Sequence, residues 1–314
     1  MLENSPKPIR IAIVGDVHDQ WEEADAIALQ HLGVDLVLFV GDFGNEAVEL
    51  VGRLAALDLP KAAIFGNHDA WYTASDWGRS KRPYDPKVED RVQQQIDLLG
   101  ASSVGYGKLD FPQFNLSVVG SRPFSWGGTE WKYSDFYQDR YGIASFEAST
   151  QRIVEMGMNA TCEHLIIIGH NGPTGLGEDP ESICGKDWGE PIGGDYGDPD
   201  LAAAIARLQE QGKSIPLVTF GHMHHKLRHT KERLRQPIVV RPDTVYLNAA
   251  RCPRILSTIE RTVRNFSLVT MVDGRVTQAG LVWMTEDFQV GLEEVYWTNA
   301  ADDRHASAPT SNVR

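Results

Sequence analysis

Five short apolar runs in this chain each stop at a glycine, and each glycine is followed at once by side chains able to ligate a metal ion. Residues 9–14 lead into Gly15-Asp16-Val17-His18, 36–40 into Gly41-Asp42, and 62–65 into Gly66-Asn67-His68-Asp69. Residues 165–168 lead into Gly169-His170, and 217–220 into Gly221-His222-Met223-His224. Apolar runs of this length, bounded by turn residues, read as buried strands. In an α/β sheet, ligands gather outside the carboxyl ends of the strands, which is where each polar block falls. Glycine there permits a tight turn and close backbone approach. Asp, Asn and His are oxygen and nitrogen donors suited to Mn, Fe or Zn. Singly, each block has an ordinary explanation, such as a turn with a helix cap or a hydrogen-bonded buried histidine. All five in order are not a matter of chance.

The stretches between the runs have helical spacing of apolar residues. Helices are predicted over 21–32, 46–57, 88–99, 143–158 and 200–211, with further strands at 114–120 and 245–248. The opening strand–helix–strand–helix–strand rhythm predicts a right-handed, largely parallel start. The last third is β-rich, and Asp273-Gly274 between two apolar runs predicts a hairpin. Residues 1–299 read as one α/β domain with loop insertions at about 70–87, 121–141 and 171–199; residues 300–314 read as a disordered tail.

Composition narrows the class. The 314 residues carry 43 acidic against 30 basic side chains, a formal net charge of −13. Phosphate neutralisation along a polymer needs a Lys/Arg surplus, so a stable nucleic-acid partner is not expected. Cys162, Cys184 and Cys252 are far apart and form no CxxC pair, which argues against a disulfide framework and against a thiolate metal site. Residues 1–10 lack the apolar core of a secretory signal, and no window suits a membrane span. The expected location is the cytoplasm or stroma, with no membrane partner; nothing in the sequence speaks to oligomeric state.

The ordered blocks DVH, GDFGN, GNHD, GH and GHMH, spread over about residues 9–250, resemble the calcineurin-like metallophosphoesterase superfamily. The resemblance implies a four-layer α/β/β/α sandwich with two mixed sheets and a dinuclear metal site at the carboxyl ends of the strands. It assigns Asp16, His18 and His224 to one ion and Asn67, His170 and His222 to the other, with Asp42 bridging. A hydroxide held between two such ions is a nucleophile at neutral pH for in-line attack on a phosphoryl group. The implied function is hydrolysis of a phosphomonoester or small phosphodiester. A metal-dependent nuclease of the same superfamily and a non-catalytic metal-binding scaffold are the alternatives. In the same pattern His68 stabilises or protonates the leaving oxygen.

One departure stands out. Protein serine/threonine phosphatases of the superfamily carry an Asp three residues after the bridging Asp, followed by an Arg; here Asn45 and Glu46 occupy those places. An amide orients an imidazole but gives no charge to stabilise imidazolium. Asp69 is the alternative partner for His68. The substrate itself would be gripped by a rim of Trp71, Arg79 and Arg82 from the first insertion and Arg122 from the second. The competing reading is that these loops are packed by their own aromatics.

Overall fold

The structure is a computed structural model describing residues 7–259 and 261–299; the tail expected at 300–314 lies outside them. The strands, in chain order, are β1 (Ile9–Val14), β2 (Leu36–Phe39), β3 (Lys61–Ala63), β4 (Lys108–Phe111), β5 (Leu116–Gly120), β6 (His164–Ile168) and β7 (Ser214–Phe220). They continue with β8 (Ile238–Arg241), β9 (Thr244–Asn248), β10 (Ile255–Ser257), β11 (Thr262–Val272), β12 (Arg275–Thr285) and β13 (Val290–Thr298). The helices are α1 (Glu23–His31), α2 (Val48–Ala55), α3 (Trp71–Ala74), α4 (Asp76–Lys81), α5 (Arg91–Leu99), α6 (Ser134–Tyr141), α7 (Phe146–Met158) and α8 (Pro199–Glu210).

One sheet has the order β13-β12-β11-β1-β2-β3, with β10 also on β11; the other runs β4-β5-β6-β7-β9-β8. Both are mixed. β1, β2 and β3 are mutually parallel, as are β5, β6, β7 and β9, whereas β1 meets β11 antiparallel. Because successive side chains of a strand alternate faces, β1 sends Ile11 and Ile13 between the sheets and Ala12 and Val14 outward. The inner layer joins them to Leu36, Leu38, Val118, Ile166, Ile168, Leu217 and Leu247. Leu29, Leu50, Leu54 and Val92 of α1, α2 and α5 cover one outer face. Ile153, Leu201, Ala204 and Leu208 of α7 and α8 cover the other. This is the α/β/β/α sandwich, and strands buried on both faces explain their uninterrupted apolar runs. Among the described residues, no helix is long and apolar enough to cross a membrane.

Several element boundaries differ from the expected ones for local reasons. The helix predicted from 46 begins at Val48, because Glu46 has φ +51°. The Asp90 carboxylate accepts from Gln93 N and the Ser145 hydroxyl from Ala148 N, and these caps start α5 and α7 at 91 and 146 rather than 88 and 143. The first insertion, expected to be a loop, forms the short helices α3 and α4, the latter capped by Ser75. The Asp273-Gly274 hairpin is present: Val272 pairs with Arg275, and both turn residues have positive φ.

The C-terminal strands are tied to the first helix by buried charge. Asp25 lies 3.3 Å from Arg254 and 3.1 Å from Arg264, and all three side chains are buried. Removing one member of such a group leaves uncompensated charge in the interior. Asp25→Ala is therefore expected to lower unfolding free energy by about 3–5 kcal/mol. Urea denaturation measures this, and a loss within error of zero would mean the arginines find other partners.

Candidate metal centre

The carboxyl ends of β1, β2 and β3 in one sheet and of β6 and β7 in the other converge, and the five polar blocks meet there. Around the first group, His224 Nε2 lies 3.2 Å from Asp16 Oδ1 and 3.2 Å from His18 Nε2. In the second, His170 Nε2 lies 3.0 Å from Asn67 Oδ1, 3.2 Å from Asp42 Oδ1 and 3.2 Å from His222 Nδ1. Asp42 joins the two, with its other oxygen 3.9 Å from His18 Nε2. His170 Nδ1 donates to the Val40 carbonyl at 2.9 Å, which turns Nε2 toward the cluster and fixes the tautomer a ligand needs. Carboxylate, amide and imidazole donors packed this closely fit first-row di- or trivalent ions, and sets able to hold them include Asp42, His170 and His222.

The electrostatics follow from burial. Desolvation opposes charge on Asp16 and Asp42, yet His224 beside the first and His170 beside the second hold both carboxyls below their ordinary range, Asp42 well below it. Burial also disfavours imidazolium at His170, but Asp42 outweighs it and raises that ring to about 9. His222 has no such dominant partner: burial and the charge on His170 push it down to about 3. Ligands must be free of protons to bind a cation, so a cation taken up here would displace the protons of the His–Asp pairs.

The backbone is bent to achieve this convergence. Asp16, His18, Asp42 and His222 all have positive φ, a costly conformation for residues with a Cβ that persists only where surrounding structure enforces it. Gly41 and Gly66 supply the close approach: a Cβ on Gly41 would stand 2.7 Å from His170 Nδ1, and one on Gly66 only 2.3 Å from Asp42 Oδ1.

His68 sits at the edge of the cluster with Nε2 3.9 Å from Asp42 Oδ2. Its Nδ1 donates to Asn45 Oδ1 at 2.6 Å, and its ring stacks on Trp71 at 4.6 Å. Burial lowers its pKa, only partly countered by Asp42. Asp69 does not serve as its partner, which corrects that expectation. The Asp69 carboxylate is fully buried and accepts the backbone N–H groups of Asp42, Phe43 and Gly66 at 3.0, 2.9 and 2.7 Å.

The proposed cationic rim is also corrected in part. Arg122 is 3% exposed and ion-paired with Asp198 and Asp200, each at 2.9 Å. Arg79 donates to the carbonyls of Thr73 and Ala74, and Arg82 to that of Tyr72, so both brace their own loop. Trp71 does border the site, stacked also on Trp126 at 5.2 Å. Tyr196 lies parallel to His222 at 6.5 Å and accepts from Lys132 Nζ at 2.8 Å. Neither Tyr196 nor Lys132 is among the site residues expected from the sequence, because no spacing links them. Cys252 was likewise missed; its sulfur lies within 4.8 Å of ligand atoms of Asp16, His18 and His224.

The sequence profile of the calcineurin-like phosphoesterases matches residues 9–226, and the chain belongs to that family. Comparison with curated proteins finds no match. Among solved structures, TT1561 of Thermus thermophilus is similar at 11% identity and TM-score 0.48, covering 85% of this chain and 99% of that one. A dimetal phosphatase from Danio rerio is similar at 12% identity and TM-score 0.44, covering 92% and 99%. A metallophosphoesterase from Sphaerobacter thermophilus is similar at 15% identity and TM-score 0.34, covering 97% and 96%.

Asp42 is common to two of the candidate donor sets, so a centre of two ions would set an asymmetry between two carboxylate mutants. Asp42→Ala would then be expected to abolish tight binding of both ions, and Asp16→Ala to weaken mainly one. Elemental analysis after dialysis reads the difference; two ions retained by Asp42→Ala would refute the bridging role.

Proposed function

We propose that this protein is a metal-dependent phosphoesterase hydrolysing a phosphomonoester or small phosphodiester. The observation that carries the reading is the continuity of the donor groups: His18 is common to two candidate sets and Asp42 to two, so the sets form one connected cluster. Asp16, His18 and His224 would hold one ion, Asn67, His170 and His222 another, and Asp42 both. Two such ions, when bound, would supply Lewis acidity, making a nucleophile available at neutral pH and drawing charge from the phosphoryl oxygens.

The protein's own groups then orient and protonate. With Nδ1–H committed to Asn45, His68 turns Nε2 toward Asp42 and the cluster. Protonated there, it donates to the departing oxygen, which leaves as an alcohol, and the ring is left neutral. Trp71 against the His68 ring limits its rotation. Tyr196 lies beside His222, and Lys132, which donates to its hydroxyl, brings a cation near that half of the cluster.

The direct test is hydrolysis of mono- and diester phosphates by protein loaded with Mn, Fe or Zn, beside a DNA and RNA panel. Turnover of small esters with the polymers intact is expected; polymer cleavage as the dominant activity would favour the nuclease alternative. His68→Ala separates its role further. With an alkyl phosphate the loss should be about 10²–10⁴ in rate, the range for general acid catalysis. With a nitrophenyl phosphate, whose leaving group departs as an anion, the loss should be much smaller. Equal losses with metals retained would make His68 a phosphoryl-oxygen stabiliser instead.

A further inference from the structure

The second sheet delivers another strand end to the site. β9 runs parallel to β7, so the segment after Asn248 emerges beside the GHMH block. Its path is tightly specified. Ala249 N donates to the Phe220 carbonyl at 2.7 Å, and the Gln20 side-chain oxygen accepts from Arg254 N at 2.8 Å and Ile255 N at 3.2 Å. Asn265 donates from its side chain to the carbonyls of Arg251 and Pro253, and buried Arg254 is ion-paired with Asp25. The loop therefore presents the side chain of Cys252 in one place, half-buried, with Sγ 3.3 Å from the main-chain oxygen of Asp16.

That place is among metal donors. One ligand atom each from Asp16, His18, His224 and Cys252 lies within 4.8 Å of all the others. The same four residues, with Gln20, Lys226 and Pro253, line a cavity of about 300 Å³. A cavity walled by a carboxylate, two imidazoles and a thiol has the donor types of a Zn or Fe site. The other cysteines, Cys162 and Cys184, are buried in other surroundings and absent from every such group among the described residues.

We propose that Cys252 is a sulfur donor to the cation held by Asp16, His18 and His224, making this half of the centre selective for thiophilic ions. The inference rests on the metal-binding reading of the site, and it distinguishes the two halves chemically: one offers sulfur, the other only oxygen and nitrogen. On binding, the thiol proton passes to solvent, the weak S–H contact to the Asp16 carbonyl is given up, and the sulfur lone pair goes to the cation. The alternative is a structural thiol that keeps its contact with that carbonyl.

The test is to load full-length metal-free protein with Co(II) and record the near-ultraviolet spectrum, where sulfur-to-cobalt charge transfer absorbs, alongside a count of bound cobalt. Wild type should show the band and Cys252→Ser should lack it while still binding cobalt. Zinc affinity of one ion should fall at least about tenfold in Cys252→Ser, no less than the loss of an outer-shell partner costs, with manganese affinity changed much less. In unmutated protein, Zn should block alkylation of Cys252, mapped by peptide mass, and chelation should restore it. Cobalt bound without the band, or alkylation indifferent to Zn, would overturn the sulfur ligand and leave the metal centre standing. No cobalt bound at all would overturn both readings.

Discussion

The Asp69 carboxylate, buried between two loops, is the interaction on which the mouth of this sandwich depends. It accepts three backbone N–H groups, two from the Asp42 loop and one from Gly66. Without it those donors would be buried and unpaired, at about 1–3 kcal/mol each. It also sets the distance between the segments carrying Asp42 and Asn67. The backbone N–H of His68 donates in turn to Asp42 Oδ1 at 2.9 Å, so the shared carboxylate is itself aimed from the neighbouring block. A residue that holds backbone thus determines where the polar side chains can meet.

Energy is stored at the same place. Four of the proposed ligands adopt left-handed backbone conformations, and the carboxylates among them are desolvated. Those costs are carried by the rest of the molecule: two sheets whose central strands are buried on both faces, and the Asp25–Arg254–Arg264 group that anchors the last strands against α1. What holds the centre in shape is a strained backbone pinned at several points, not the strength of any one contact.

Much of this was legible in the sequence, for identifiable reasons. A buried parallel strand is written as an unbroken apolar run, its end as glycine, and its exit as a polar residue, so Asp16, Asp42, Asn67, His170 and His222 announce their own positions. Asn45 was readable as a partner of His68 only through the family resemblance, which pairs the residue three after Asp42 with that histidine. Residues that act through tertiary partners were not. Arg122 looked like a substrate contact because its charge is visible in sequence, whereas Asp198 and Asp200, which neutralise it, lie 76 and 78 residues further on. Asp69 adjoins His68, but its side chain turns inward to the backbone. Cys252 lies four residues past the end of β9, with no paired cysteine to draw attention to it. Tyr196 and Lys132 meet only because two irregular segments cross.

The placement of β1 has a consequence for how the molecule is made. β1 is flanked by β2 on one side and by β11 on the other, with Ile9 opposite Met271. The ribosome therefore releases the opening βαβαβ unit long before one edge of its first strand can be covered. Until then that edge displays unpaired N–H and C=O groups, a template for pairing with other chains. Pairing over so long a separation is also slow, because loop-closure entropy precedes any gain. The nascent protein thus carries an unfinished sheet until β11 is made, and the stage most exposed to misassembly or chaperone capture falls before residue 271 emerges.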